Sequence, residues 1–253
     1  MTLSAVRSRQ QQIAAELASH KTRDLFLTYT GANAWPKKRP GQECYRILVL
    51  DSSFNPPTRA HHGLLTTAIQ QYPPDFFNGH LLLFAMRNVD KQLSGASVLQ
   101  RVQMMEIVAR QQPNTAVAVT QYGRFIDKAQ CLQQWIQEPA ELYFIVGYDT
   151  ITRLLDQSYY DVPVQQALDP FFQSCRLVCA DRPGFDPDQV MAQFWTSSII
   201  QRYQSAIQRI QFSDDSLATL SSTRARNASD SAELDTIVDP EIAAFIRAEK
   251  LYI

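Results

Sequence analysis

The chain has 253 residues, of which 45% are apolar and 19% are charged, and its formal net charge is −1. This length and apolar content suit one large α/β domain with a substantial core, and they argue against extended disorder. The near-neutral charge argues against general binding of nucleic acid, although it is compatible with a local basic pocket.

The first part of the chain predicts a helix followed by a loop. Apolar side chains recur there at helical spacing, at Leu3, Val6, Ile13 and Leu17. The stretch AWPKKRPGQE at 34–43 contains three adjacent basic residues, which indicate a solvated loop rather than a nuclear address. We therefore predict an N-terminal helix and loop extension over residues 1–43 and one domain over residues 44–253.

The sequence predicts neither an export signal nor a membrane span. The amino terminus lacks the apolar core of a signal peptide, and nowhere do about 18 apolar residues run together. The four cysteines form no CxxC pair, so neither a zinc knuckle nor a redox motif is indicated. Cys175 and Cys179 share one face of a predicted strand, which favours buried, reduced thiols. We expect a cytoplasmic protein, with the nucleus as an additional location, and no membrane partner.

After residue 44, strand-like and helix-like segments alternate. Apolar runs predict strands at 45–51, 80–86, 115–121, 141–147, 175–181 and 209–213. Helical periodicity predicts helices at 98–111, 129–137, 187–209 and 240–253, the last with a short tail. Several strands are apolar without alternation, as expected when both faces of a sheet are covered. The order predicts an α/β fold with a doubly wound parallel sheet.

The eight glycines exclude two common phosphate-binding loops. No pair of glycines has GxG spacing and no GxxxxGK[ST] occurs, so the dinucleotide fingerprint and the P-loop are both absent. A phosphate bound by this chain needs another type of site.

The stretch SSFNPPTRAHH at 52–62 follows the first predicted strand of the domain. Ligands of open parallel sheets bind beyond the carboxyl ends of the strands, where this turn lies. Thr58 is the predicted N-cap of the next helix, whose free N–H groups and positive dipole end attract anions. A histidine in the first turn can donate to the same anion. The alternative is that His61 and His62 are merely exposed at a helix start.

A second polar stretch, LSSTRARNA at 220–228, combines hydroxyl groups with two arginines. Ser222 or Thr223 can cap the helix that follows, and Arg224 and Arg226 can bind phosphate oxygens in fork geometry. Taken alone, such a cluster is common at ordinary helix starts. Together with the histidine turn it predicts a polyphosphate held from two sides.

These stretches resemble motifs of the nicotinamide/nicotinate mononucleotide adenylyltransferases, and within them the fungal branch that opens with DSSFNPPT. SSFNPPTRAH is similar to the (H/T)xGH element of nucleotidylyltransferases, and LSSTRAR is similar to their ISSTxxR element. IVGYD at 145–149, DRPG at 181–184 and the closing PEIAAFIRAEKLYI also fit. The resemblance spans residues 45–253 and implies a Rossmann-like sheet of the nucleotidylyltransferase type.

The resemblance implies an enzyme that transfers the adenylyl group of ATP to nicotinamide mononucleotide, forming NAD and pyrophosphate. Whether nicotinate mononucleotide is also a substrate stays open at this point. The mononucleotide phosphate attacks the α-phosphorus in line, so catalysis rests on positioning and charge neutralisation. A Mg²⁺ ion that bridges ATP oxygens is implied, without a protein metal ligand. Two alternatives stay open: another nucleotidyl transfer on the same fold, and a nucleotide-binding regulator or scaffold with weak catalysis.

By motif match, the resemblance implies catalytic roles for His61, Arg226 and Thr58, with His61 stabilising charge as pyrophosphate leaves. It implies nucleotide contacts from Ser53, Phe54, Asn55, Lys91, Gly147, Asp149, Ser222, Thr223 and Arg224. In the second motif, the residues implied to hold the β- and γ-phosphates are Ser222, Thr223 and Arg226.

Some positions have more than one interpretation. Asp149 is expected to accept from ribose hydroxyls, and it is also a candidate N-cap for the next helix. Arg101 is either a phosphate contact or a solvated helix residue. His62 falls out of register with the motif and is interpreted as a neighbour of the site.

Two departures from the family pattern affect the predicted site. Ser52 replaces the glycine that usually opens the first motif, and its Cβ narrows the approach of the backbone to a nucleotide. The aromatic side chain that stacks on the pyridine ring is not assigned by a motif; the candidates are Tyr122, Phe125 and Trp135. Trp135 lies in a helical pattern typical of core packing. The choice between amide and acid substrate depends on this region.

Overall fold

The computed structural model describes residues 3–19, 24–31, 34–86, 95–181, 186–212 and 215–252. Within these ranges seven strands form one sheet. They are β1 (Leu25–Tyr29), β2 (Tyr45–Asp51), β3 (Gly79–Ala85), β4 (Thr115–Thr120), β5 (Ala140–Gly147), β6 (Cys175–Ala180) and β7 (Ile207–Ile210). Their order across the sheet is β1-β4-β3-β2-β5-β6-β7. β1 pairs antiparallel with β4, and all other neighbours are parallel.

Helices cover both faces of this sheet. They are α1 (Leu3–Ser19), α2 (Arg59–Gln70), α3 (Val98–Gln111), α4 (Phe125–Ile136), α5 (Tyr148–Leu154), α6 (Val164–Ser174), α7 (Asp188–Thr196), α8 (Ser198–Tyr203), α9 (Asp215–Ala218), α10 (Ser222–Arg226), α11 (Ser231–Ile237) and α12 (Pro240–Ala248). Among the helices in the described ranges, none combines the length and apolar content that a membrane span requires.

The continuous apolar strands reflect two separate cores. In β2, Leu48 and Leu50 contribute to the core under α1, α2, α3 and α12. Their neighbours Ile47 and Val49 contribute to the core under α4, α5, α6 and α8. Successive side chains of a strand point to opposite faces, so a strand covered on both sides needs apolar residues at every position. The predicted α/β fold with a doubly wound parallel sheet is confirmed.

Two sequence expectations about elements were incomplete or wrong. The helix predicted over 187–209 is interrupted, because Ser197 is extended (φ −65°, ψ 154°) and separates α7 from α8. The strand predicted at 209–213 begins earlier, at Ile207, as β7. β1 was not predicted; it adds an antiparallel edge to the sheet, while Val6 and Ile13 of α1 are buried in the core as their spacing indicated.

The cysteines follow the sequence expectation. Cys175 and Cys179 both lie in β6, and both are buried in the same core. None of the four cysteines, all of which the structure describes, forms a disulfide. Burial raises the pKa of the Cys175 thiol to about 12, so this thiol is unreactive.

His80, in β3, makes stability depend on pH. Burial lowers its pKa from 6.5 to about 4. Between these values the unfolded chain binds a proton that the folded chain excludes, so stability falls as the pH drops through this window. We expect a loss of roughly 3 kcal/mol from this residue between about pH 6.5 and about pH 4. Urea unfolding across this range should show a shallower pH dependence for His80→Gln than for the wild type; equal slopes would contradict the assignment.

Candidate functional site

The strand order creates a crevice at the carboxyl ends of two central strands. β2 lies between β3 and β5. From β2 the chain continues to β3 and β4 on one side of β2, and it then crosses to β5 on the other side, so the strand order reverses at this point. Such a switch point is the usual ligand position in an open α/β sheet. A cavity of about 270 Å³ lies here, with Ser52, Thr58, His61, Gly147, Asp149 and Ser222 in its lining. The topology therefore brings residues from both predicted motifs to one pocket.

The first motif forms a tight loop between β2 and α2. Phe54 has a φ of 45°, in the left-handed region that aromatic residues rarely occupy. Its side chain is fully buried and packs on the His61 ring, with 5.3 Å between the centroids. Thr58 is the N-cap of α2, as predicted. Strained backbone of this kind persists where its surroundings hold it in place, and this is common at ligand sites.

Donors from elsewhere in the chain hold the carbonyl groups of this loop. Arg226 donates through Nη1 to the Asn55 carbonyl at 2.7 Å, and Ser222 donates through Oγ to the Pro56 carbonyl at 2.8 Å. Arg101 donates through Nη1 to the Ser53 carbonyl at 3.3 Å. The two predicted motifs, more than 160 residues apart, are therefore joined directly by hydrogen bonds.

Arg101 is an internal clamp and not a solvated residue. Its exposed fraction is 2%, and its Nε donates to the Ala96 carbonyl at 2.8 Å. The interpretation as a solvated helix residue is wrong, because the side chain turns inward from α3 to bridge two loops. Lys91, predicted as a phosphate contact, lies outside the described residues.

A hydrogen bond from the C-terminal tail holds the Asn55 side chain in place. The Tyr252 hydroxyl donates to Asn55 Oδ1 at 2.8 Å, and the Ala96 N–H donates to the same oxygen at 3.1 Å. Burial raises the pKa of Tyr252 well above its ordinary value, which keeps the phenol protonated as a donor. This role of Tyr252 was not predicted; the fit of the closing segment to the family pattern was the signal that could have indicated it.

His61 lies in the first turn of α2 with both ring nitrogens engaged. The Thr58 backbone N–H donates to Nδ1 at 3.1 Å, and the Thr58 hydroxyl lies 2.9 Å from the same nitrogen. Because a backbone N–H only donates, Nδ1 carries the lone pair and the ring proton of the neutral imidazole lies on Nε2. Burial lowers the pKa of His61 to about 4, so the ring is neutral near pH 7. Nε2 lies 3.0 Å from Ser52 Oγ, at the pocket.

The second motif starts one residue earlier than expected. Ser221 is the N-cap of α10, since its side chain accepts from the Arg224 N–H at 3.1 Å. The expectation that Ser222 or Thr223 caps the helix is therefore wrong, because both lie within its first turn. Ser222 lines the pocket, whereas Thr223 and Arg224 are exposed.

The two arginines of this motif have different surroundings. Arg226 is half-buried and its fork bridges the Asn55 carbonyl and Thr223 Oγ1, the latter at 3.0 Å. Arg224 is exposed and lies 3.6 Å from the Glu233 carboxylate. Of these two guanidinium groups, only that of Arg226 hydrogen-bonds to the loop that carries His61.

This difference predicts unequal effects of conservative substitutions. A lysine cannot donate to both acceptors of Arg226 in one geometry, and hydrogen bonds from charged donors contribute about 1.5–3 kcal/mol. Arg226→Lys should weaken ATP binding by about tenfold or more, whereas the matched Arg224→Lys should change it little. Isothermal titration calorimetry measures both, and a larger effect at Arg224 would refute the assignment.

The third predicted stretch lies at the end of β5. Gly147 is the N-cap of α5, so the interpretation of Asp149 as this cap is wrong; Asp149 lies in the first turn. A Cβ at Gly147 would approach Asp149 Oδ1 to 2.8 Å, so glycine lets the carboxylate fold over the strand end. Both residues line the pocket, as expected for a nucleoside contact.

A buried ion pair, one member of which lines the pocket, was not predicted. Lys128 Nζ of α4 lies 2.5 Å from Asp51 Oδ2, at the end of β2. The side chains are only 4% and 10% exposed. A charge pattern could not have found this contact, because the partners are 77 residues apart and each lies in an ordinary local context.

The aromatic candidates lie at different ends of the sheet. Tyr122 lies between β4 and α4, and Phe125 is the first residue of α4, so both follow the carboxyl end of β4. Trp135 lies near the end of α4 and packs against Trp35, with 6.1 Å between the ring centroids. Trp35 in turn donates to the Asn114 carbonyl, just before β4 begins. Trp135 is thus at the edge remote from the pocket, in agreement with its helical core pattern.

Comparisons with known proteins show the family to which the chain is related. Residues 49–228 match the cytidylyltransferase-like family model. A protein of Schizosaccharomyces pombe, provisionally named nicotinamide mononucleotide adenylyltransferase, is 31% identical over 220 residues, covering 81% of this chain and 86% of the relative. A Chromobacterium violaceum protein, provisionally named nicotinate-nucleotide adenylyltransferase, is 26% identical over 230 residues, covering 82% and 98%.

A solved structure shares the fold at low sequence identity. The nicotinic acid mononucleotide adenylyltransferase of Plasmodium falciparum, complexed with NaAD, has a TM-score of 0.60 and 16% identity, covering 82% of this chain and 97% of that one. This likeness concerns the fold, whereas the family model covers residues 49–228, which contain both motifs. The chain belongs to the cytidylyltransferase-like nucleotidylyltransferases and, within them, to the nicotinamide/nicotinate mononucleotide adenylyltransferase family.

Proposed function

We propose that this protein transfers the adenylyl group of ATP to nicotinamide mononucleotide, forming NAD and pyrophosphate. One observation carries the proposal: Arg226 and Ser222 donate to the carbonyls of Asn55 and Pro56, so that both motifs surround one pocket. The 31% identity to a relative named for the nicotinamide substrate favours the amide over the acid mononucleotide.

The chemistry needs no enzyme nucleophile. A phosphate oxygen of the mononucleotide attacks the α-phosphorus of ATP, and the bond to the bridging oxygen of pyrophosphate breaks. Negative charge grows on the departing oxygens, so fixed hydrogen-bond donors at that position lower the barrier. His61, held neutral with its proton on Nε2, directs this N–H to Ser52 Oγ at the pocket, and the Arg226 guanidinium adds positive charge beside the same loop.

The proposed Mg²⁺ would enter with ATP. Among the described residues, no group of three or more His, Cys, Asp or Glu side chains is arranged to hold a metal ion. Mg²⁺ in nucleotide sites commonly keeps several waters and binds mainly through phosphate oxygens. We therefore expect the cation to arrive with ATP and to be held mainly through phosphate oxygens.

The test is a substrate panel with purified protein. ATP and Mg²⁺ are combined with either mononucleotide, and the dinucleotide and pyrophosphate are measured; CTP replaces ATP as a control. NAD formation that depends on ATP is the expected result, with a higher kcat/KM for the amide. Binding of ATP without turnover on either substrate would instead support the regulator or scaffold alternative.

A further inference from the structure

Ser52 occupies a fixed position at the mouth of the pocket. It is the first residue after β2, and its backbone N–H donates to the Leu83 carbonyl of β3 at 3.2 Å. Its side chain is half-buried and lines the cavity. Because the backbone is anchored to the sheet, the hydroxyl lies at a defined place beside the ligand space.

The hydrogen-bond direction at Ser52 follows from that at His61. The Thr58 N–H donates to Nδ1, so Nε2 carries the proton and has no lone pair. The 3.0 Å contact between Nε2 and Ser52 Oγ is therefore a bond in which the imidazole donates and the serine accepts. The serine hydrogen is therefore not directed at the ring, and Ser52 lines the cavity.

We propose that the Ser52 hydroxyl relays the hydrogen bond of His61 to a phosphate oxygen of the nucleotide, which makes Ser52 a ligand-binding residue. The donors then run in one direction, from Thr58 N–H to His61, from His61 to Ser52, and from Ser52 to the phosphate. Hydrogen bonds in such a chain polarise one another. The identity of the anion as ATP rests on the proposed function; the relay itself rests on the contacts within the pocket.

This assignment changes the meaning of a departure from the family pattern. A serine in place of the glycine narrows the pocket, and on that basis alone it should weaken nucleotide binding. If the hydroxyl relays the hydrogen bond, its removal should weaken nucleotide binding. Without the hydroxyl, a gap separates the imidazole N–H from the phosphate oxygen. The two interpretations therefore predict changes of opposite sign when the hydroxyl is removed.

The experiment measures binding of MgATP by isothermal titration calorimetry and, separately, kcat/KM for dinucleotide formation. Ser52→Ala should bind MgATP about tenfold more weakly, while the KM for the mononucleotide stays close to the wild-type value. Ser52→Thr keeps a hydroxyl and should stay close to the wild type. Ser52→Val has the shape of threonine without the hydroxyl and should resemble Ser52→Ala, which separates the hydrogen bond from any effect of volume or folding.

A double-mutant cycle tests the coupling between the two residues. If His61 acts through Ser52, adding His61→Ala to Ser52→Ala should cost clearly less than His61→Ala costs in the wild type. MgATP binding by Ser52→Ala or Ser52→Gly that equals or exceeds the wild type would overturn the proposal, as would additive effects. The binding arm needs no turnover, so a wild type that binds MgATP without forming NAD would refute the proposed function alone.

Discussion

Replacing His61 by alanine should reduce kcat/KM for adenylyl transfer by about 10²- to 10³-fold, the usual cost of removing one preorganised donor from a site of developing charge. The neutral ring is held by Thr58 at Nδ1, and its Nε2 N–H donates a hydrogen bond to Ser52 Oγ at the pocket. Alanine removes this donor and leaves the Thr58 N–H without its acceptor. Steady-state kinetics with saturating mononucleotide measure the loss.

The adjacent histidine provides a matched control. His62 lies one position further along α2 and is half-buried, but it is absent from the cavity lining. His62→Ala should therefore keep kcat/KM within about twofold of the wild type, since it removes no group of the pocket. Thermal melts of both variants show whether the fold is retained. A loss at His62 as large as that at His61 would mean that the register of the motif is misassigned.

Replacing Lys128 by methionine should destabilise the protein by about 3–5 kcal/mol, because it leaves the Asp51 carboxylate buried without its partner. The pair is short, at 2.5 Å, and nearly inaccessible to water. The substitution should also disturb the pocket, because Asp51 is the last residue of β2 and lines the pocket directly before Ser52. Urea unfolding monitored by circular dichroism measures the change in the free energy of unfolding.

Two further variants make the interpretation specific. Lys38 forms a comparable pair with Glu138, but its side chain is 57% exposed; Lys38→Met should have little measurable effect, because water solvates the carboxylate that remains. Adding Asp51→Asn to Lys128→Met removes the unpaired charge and should recover part of the lost stability. A mild effect of Lys128→Met, similar to that of Lys38→Met, would contradict a buried and unscreened pair.

The predicted elements succeeded where local pattern decides structure. The helix at 98–111 has the bounds of α3, because Ser97 caps it and Gln100 completes a capping box. The strands were found because both of their faces are apolar. The edge strand β1 escaped prediction, since five residues of mixed burial carry little periodicity. The break at Ser197 was missed because the apolar spacing on its two sides resembles one continuous helix.

The candidate site was predicted in its parts but not in its contacts. Thr58 and His61 were found through the helix start that follows a strand, and Arg226 through its motif. Their roles as phosphate ligands stay predictions. The structure adds that Arg226 and Arg101 hold the backbone of the histidine loop, a role that no motif expresses.

The sequence by itself determined most of the alternation of strands and helices after residue 44, the two apolar faces of the sheet and the two polar motifs, because these depend on periodicity and on residue types within a few positions. Only the tertiary structure decided which donors meet which acceptors. The bond between Tyr252 and Asn55, the pair of Lys128 with Asp51 and the proton on His61 Nε2 are examples. Each depends on ångström-scale distances between side chains, and for the first two the partners are far apart in the chain, so the packing of the whole sheet sets them.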